Sequence, residues 1–199
     1  MAGKLDSTHI PFSASFFSPT ANMWLKFQEA IASARDAVKD KPEYLPAYLL
    51  LGSLYEKSGD VKNAELTYEN ALSRDANYGP IINNLAWIYC EHGGNLDVAL
   101  GLAQKAKQDL PNDPNVADTL AWIGYRKGLY SSSLKSFQEL VRASPQVALY
   151  QFHLGMCLLR IGNLPEGRAV LTRALALNLT QEDAKEARMA LSQASAQGD

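Results

Sequence analysis

One short pattern recurs four times along this chain at a nearly constant spacing. A leucine and a small residue stand together at Leu51-Gly52, Leu85-Ala86, Leu120-Ala121 and Leu154-Gly155, with intervals of 34, 35 and 34 residues. A glycine follows seven positions after each small residue, at Gly59, Gly93, Gly128 and Gly162. A fixed period of this length is typical of stacked helical hairpins, which bury their apolar faces against one another. We therefore expect an all-α solenoid.

The first full unit shows how one period folds. Apolar and small residues occupy one side of a first helix at i, i+3, i+4 and i+7, and a second helix carries another such set. The two sets are Tyr48, Leu51, Gly52 and Tyr55, then Ala64, Tyr68 and Ala71. This spacing predicts amphipathic helices. Gly59 predicts the turn between them, because glycine accepts the left-handed conformation that ends a helix.

The pattern W/Y-x2-L-G-x2-Y followed by A-x3-F/Y-x2-A resembles the tetratricopeptide repeat. The resemblance implies a right-handed superhelix of about four repeats, with a half-repeat before them and a capping helix after them. The predicted boundaries are an irregular arm at 1–19, a half-repeat at 20–44, repeats at 45–78, 79–113, 114–147 and 148–179, and a capping helix at 180–196. Thr180 and Asp183 indicate a capping box at the start of the last helix.

Composition narrows the set of partners. The net charge of -2 shows no basic excess of the kind that binds nucleic acid. No apolar run approaches the roughly 18 residues that cross a bilayer, so direct membrane insertion is not expected. Cys90 and Cys157 fall on apolar helical stretches, where a thiol is expected to act as a small core residue.

The first helices of such a stack line a concave face, and this face is the predicted partner-binding groove. Its predicted residues are Asn83, Asn84, Trp87, Asp118, Trp122, Tyr125, Arg126, Phe152, His153 and Met156. Trp87 and Trp122 stand at the ninth position of neighbouring units, and tryptophan is enriched at binding hot spots. The alternative is that both indoles pack between adjacent first helices and stiffen the array. A third use of exposed indoles is stacking on sugars.

No catalytic arrangement is apparent. Phosphate-binding loops and nucleophile–base motifs are absent, and His9, His92 and His153 lack metal-ligand spacing. We therefore predict no enzyme activity, no cofactor and no metal. The favoured function is a scaffold that binds a protein or peptide in the groove. The alternatives are a polysaccharide-binding module and self-assembly, in which the segment 20–40 or the last helix docks on another copy.

A narrower resemblance concerns two segments, 83–89 and 114–122. The sequences Asn-Asn-Leu-Ala-Trp-Ile-Tyr and Pro-x3-Asp-Thr-Leu-Ala-Trp resemble the C-terminal part of bacterial exopolysaccharide-associated tetratricopeptide lipoproteins of the PEP-CTERM protein-sorting systems. This resemblance implies an excised segment of an exported assembly scaffold, located in the periplasm; without it, a cytoplasmic location is expected. Leu49, Leu50 and Ser53 depart from the carboxylate clamp of chaperone-binding repeats, so chaperone tails are not expected as partners.

Overall fold

A computed structural model describes residues 19–196 of the chain. Over that range the chain forms ten α-helices and no strand, which confirms the all-α solenoid of helical hairpins. The helices are α1 (Pro19–Asp40), α2 (Leu45–Lys57), α3 (Val61–Leu72), α4 (Gly79–Glu91), α5 (Leu96–Asp109), α6 (Pro114–Arg126), α7 (Tyr130–Ala143), α8 (Ala148–Arg160), α9 (Leu164–Ala176) and α10 (Gln181–Ala196). The arm predicted for residues 1–19 lies outside the described residues, except that Pro19 begins α1.

The helices stack as successive hairpins. Each helix packs against the helices before and after it in sequence, and contacts also join α4 to α6, α6 to α8 and α8 to α10. Even-numbered helices are the first helices of their hairpins and therefore form one layer, while α3, α5, α7 and α9 form the other. The layer of first helices carries the candidate site.

Four glycines make the turns inside the hairpins. Gly59, Gly93, Gly128 and Gly162 have φ angles of 77°, 79°, 83° and 85°. This left-handed conformation strains residues that carry a Cβ atom, whereas glycine adopts it readily. The turn predicted from the recurring glycine is confirmed.

Small residues bring the two helices of a hairpin together. A Cβ atom on Gly155 would lie 2.6 Å from Leu171 Cγ and 3.1 Å from the Leu171 backbone nitrogen. A Cβ atom on Gly52 would overlap the ring of Tyr68 in the same way. The recurring small residue therefore leaves space for the side chain that the second helix inserts.

Gly155→Val is expected to lower the free energy of unfolding by about 1–3 kcal/mol, because the added side chain overlaps Leu171 in a packed interior. Gly101→Ala is the matched control. Its new Cβ atom meets nothing within 4 Å, so it should stabilise α5 by about 0.5–1 kcal/mol. Urea unfolding of both variants measures the difference. Equal midpoints for Gly155→Val and the wild type would show that the small residue is not needed for hairpin packing.

The last helix ends the stack with a polar outer side. The Thr180 hydroxyl accepts a hydrogen bond from the Asp183 backbone N–H at 3.1 Å and donates one to the Asp183 carboxylate at 2.7 Å. Thr180 therefore caps the helix as predicted, but the Asp183 carboxylate bonds the Thr180 hydroxyl and not its backbone N–H, so the reciprocal bond of a capping box is replaced. Ala187 is buried against the preceding hairpin, whereas Lys185 and Arg188 are exposed. A polar outer side of this kind keeps a terminal repeat soluble.

Candidate functional site

The candidate site lies on the side of α4, α6 and α8 that is turned away from the second helices; we call it the inner face. The structure divides the ten predicted residues by exposure. Asn83, Asp118, Trp122, Phe152 and His153 are buried; Asn84, Trp87, Tyr125 and Met156 are half-buried; and Arg126 is exposed. Half of the predicted groove is therefore interior, and a ligand reaches only the remainder directly.

Asp118 and His153 form a buried pair that joins α6 to α8. The Asp118 Oδ1 atom lies 2.8 Å from His153 Nδ1, and the two residues are 3% and 1% exposed. Burial of both polar groups is tolerated because each satisfies the other. The sequence placed Asp118 and His153 in an open groove, whereas the structure buries both side chains. Contact of either residue with a partner stays a prediction.

Trp122 also belongs to the interior. It is 2% exposed and stacks on His153 with a centroid separation of 4.0 Å and an interplanar angle of 19°. The buried Phe152 ring lies 5.9 Å from the same indole. Trp122 and Phe152 are therefore interior residues and not the open groove residues that the repeat position predicts, and their contact with a ligand stays a prediction. The alternative, an indole packed between adjacent first helices, describes Trp122 correctly.

Glu91 continues this network to α4. Its Oε1 atom accepts a hydrogen bond from Trp122 Nε1 at 2.7 Å and one from Arg126 Nη1 at 2.8 Å. Sequence reasoning missed Glu91, although a signal was present: Glu91 and Arg126 have opposite charges and stand at the same position of consecutive repeats. The network from Glu91 to His153 therefore holds three first helices in register.

A cavity of about 230 Å³ remains open where α4, α6 and α8 meet. We call it the amide cavity. Its lining consists of Asn83, Asn84, Trp87, Asn115, Asp118, Thr119 and Leu149. Three asparagines beside an indole give a surface that offers both hydrogen bonds and apolar area.

The amides of the cavity differ in how well they are satisfied. Asn84 Nδ2 donates to the Tyr68 hydroxyl at 3.0 Å, and Asn115 Oδ1 accepts from the Tyr150 hydroxyl at 3.3 Å. Asn83 is 8% exposed, and its Oδ1 atom has no hydrogen-bond partner within residues 19–196. A buried acceptor without a donor costs about 1–3 kcal/mol. The amide groups of the cavity that a ligand can reach are those of Asn84 and Asn115.

The two thiols have no part in this site. Cys90 and Cys157 are buried and unbonded to each other, which confirms their predicted role as core residues. Burial raises the pKa of Cys90 to about 12 and that of Cys157 to about 11, so both stay protonated at neutral pH.

Within residues 19–196, no group of three or more histidine, cysteine or acidic side chains is placed to hold a metal ion. No helix in this range combines the length and apolar character that crossing a bilayer requires.

Stacked hairpins whose first helices carry a recessed polar and aromatic face define an α-solenoid of the repeat-protein class. More narrowly, the chain contains tetratricopeptide repeats: models of this family match residues 119–178 and residues 45–78. A tetratricopeptide repeat-containing protein of Pseudomonas aeruginosa is 24% identical over 118 residues. That match covers 59% of this chain and 20% of the relative's length.

Solved structures show the same fold. A thermophilic tetratricopeptide repeat protein of Thermus thermophilus has a TM-score of 0.66 and 18% identity, with 88% of this chain and 93% of that chain covered. PilW, a type IV pilus biogenesis factor, has a TM-score of 0.68 and 19% identity, with coverages of 89% and 87%. YrrB, described as having an unusual peptide-binding site, has a TM-score of 0.57 and 18% identity, with coverages of 85% and 87%.

Proposed function

We propose that this chain is a non-catalytic interaction module that binds an extended peptide segment of a partner protein across the amide cavity. Tetratricopeptide repeats generally mediate protein–protein interaction, and the repeat fold is typically a scaffold without catalytic activity. The inner face supports a peptide ligand because its open part combines amide groups with a half-buried indole, Trp87.

The single observation that carries the proposal is the open cavity in which Asn84 and Asn115 lie beside the half-buried indole of Trp87. An extended peptide has backbone N–H and C=O groups that no internal hydrogen bond occupies, so they suit the side-chain amides of Asn84 and Asn115. The adjacent indole supplies apolar contact area, and aromatic anchors in recessed sites contribute much of the affinity at interfaces.

The buried acid–base pair supports a non-catalytic module rather than an enzyme. A general base must come within hydrogen-bond reach of its substrate. Asp118 and His153 bond to each other, and Trp122 covers the imidazole, so His153 is closed to a substrate.

Trp87→Ala is expected to weaken peptide binding at least about 30-fold, which corresponds to a hot spot of about 2 kcal/mol. The probe is a set of dodecapeptides selected from a random phage library on the wild-type chain, with affinities measured by isothermal titration calorimetry. Trp24→Ala is the matched control, because Trp24 is 65% exposed on α1 and lies outside the inner face. Circular dichroism confirms that both variants keep the helical fold.

Failure to select any peptide whose binding depends on Trp87 would overturn the proposal. Binding of oligosaccharides to the same variants distinguishes peptide binding from the predicted alternative, polysaccharide binding. Trp87-dependent sugar binding without peptide binding would favour a polysaccharide-binding module. A role in exopolysaccharide or protein-sorting assembly stays a prediction from the narrower resemblance. The same holds for self-assembly.

A further inference from the structure

We propose that a second binding site borders the inner face and takes an acidic side chain of the same peptide between Arg126 and Arg160. This inference rests on the proposed peptide function. The site is a cavity of about 260 Å³ that we call the arginine cavity. Its lining consists of Trp122, Tyr125, Arg126, Tyr130, Arg160 and Glu186.

Arg160 is held in place but carries no counter-ion. Its Nε atom donates to the Tyr130 hydroxyl at 3.0 Å, and its guanidinium lies 5.8 Å from the centre of the Tyr130 ring. Within residues 19–196, no carboxylate lies within 4.0 Å of this guanidinium. The two terminal nitrogens are therefore available to a carboxylate from outside the chain, which suits the fork geometry of arginine.

The acidic groups around the cavity set the charge that a ligand meets. Glu91 accepts hydrogen bonds from Arg126 and Trp122 and makes none with Arg160. Of the two arginines that line the cavity, Arg160 is therefore the one without an acidic partner. Glu186 lines the opposite side, and burial, followed by the nearby charge of Glu91, raises its pKa. Removing the charge of Glu186 should therefore favour an anionic ligand.

The two cavities lie on one side of α6. Asp118 and Thr119 line the amide cavity, and Tyr125 and Arg126 line the arginine cavity seven residues further along. Seven residues of helix span about 10 Å. An extended peptide advances about 3.3 Å per residue, so its acidic residue should stand about three positions from the residue that lies against Asp118 and Thr119 in the amide cavity.

The repeat position of Arg126 and Arg160 distinguishes this site from the carboxylate clamp of chaperone-binding repeats. That clamp uses lysine and asparagine at other positions of the first helix. Arg126 and Arg160 both end their helices at the thirteenth position of the repeat. A carboxylate bound here meets guanidinium groups and tyrosines at the C-terminal ends of α6 and α8.

The test compares dodecapeptides selected from one random phage library on the wild-type chain and on Arg160→Glu. Wild-type peptides should be enriched in aspartate or glutamate about three positions from an apolar residue. Peptides selected on Arg160→Glu should carry lysine or arginine at that position instead. Equal acidic content in both sets, with binding that still depends on Trp87, would overturn the arginine site and leave the proposed function intact.

Affinities of one wild-type-selected peptide provide the second readout. Arg160→Gln should weaken its binding about 10-fold, the effect of one charge-assisted hydrogen bond, while Glu186→Gln should strengthen it. Arg142→Gln, which changes an exposed arginine on α7, should leave affinity unchanged. Equal losses in all three variants would contradict a specific site. If no selected peptide depends on Trp87, the proposed function and this inference both fail.

Discussion

His153→Ala is expected to lower the free energy of unfolding by about 3–5 kcal/mol, because the substitution leaves the Asp118 carboxylate buried without its partner. Urea unfolding followed by circular dichroism measures the change. The loss should exceed that of any substitution confined to the open part of the inner face, where the side chains reach solvent.

A double variant separates the cost of leaving a buried polar group unpaired from the cost of removing side-chain volume. Replacing both partners with apolar residues, Asp118→Leu and His153→Leu, removes the unpaired charge and should restore part of the stability lost in His153→Ala. A cost below about 1 kcal/mol for His153→Ala would mean that the pair does not hold α6 against α8.

Trp122→Ala is expected to cost about 3–5 kcal/mol, because it removes a large side chain that is 2% exposed and leaves a cavity against His153. Thermal and urea unfolding measure the loss. Trp122→Phe should cost less, since it keeps a ring in that space and gives up the hydrogen bond from Nε1 to Glu91. A Trp122→Ala variant as stable as the wild type would show that the indole is not part of the core.

The architecture could be predicted from the sequence because its determinants are local and repeated. Gly59 and its counterparts adopt the positive φ that their recurrence indicated. Gly155 likewise sits against Leu171, as a small residue at that position of the repeat predicts. Such features depend on neighbours at fixed sequence distances, so a periodic pattern carries them.

The candidate site could be predicted only in part. Whether a side chain of one repeat is buried depends on which side chain the following repeat packs against it. Trp87 and Trp122 occupy the same position of their repeats, yet only Trp122 is buried. The sixth residue of the following repeat differs: His153 stacks on Trp122, whereas the shorter Thr119 lines a cavity shared with Trp87. Repeat positions alone therefore do not distinguish an indole that binds a ligand from one that holds two helices together.

The hydrogen bonds of Glu91 are a second example of contacts between repeats that the repeat pattern alone does not predict. They cross from α4 to α6 and join residues 31 and 35 positions apart. Charge alternation between consecutive repeats hinted at the ion pair with Arg126, but the bond to the Trp122 indole depends on the angle between neighbouring hairpins. That angle arises from side-chain packing along the whole stack.

Two-dimensional ¹H–¹⁵N NMR of the indole groups tests most directly whether Trp87 faces the ligand while Trp122 belongs to the framework. The chain has three tryptophans, so three indole signals report on Trp24, Trp87 and Trp122. Titration with a selected dodecapeptide should shift the Trp87 signal most and leave the Trp24 signal near its original position. The Trp122 signal should move less than that of Trp87, because a carboxylate in the arginine cavity lies beside the indole without contacting it directly. A large shift of Trp122 with an unmoved Trp87 would contradict the division of the inner face into an open and a buried part.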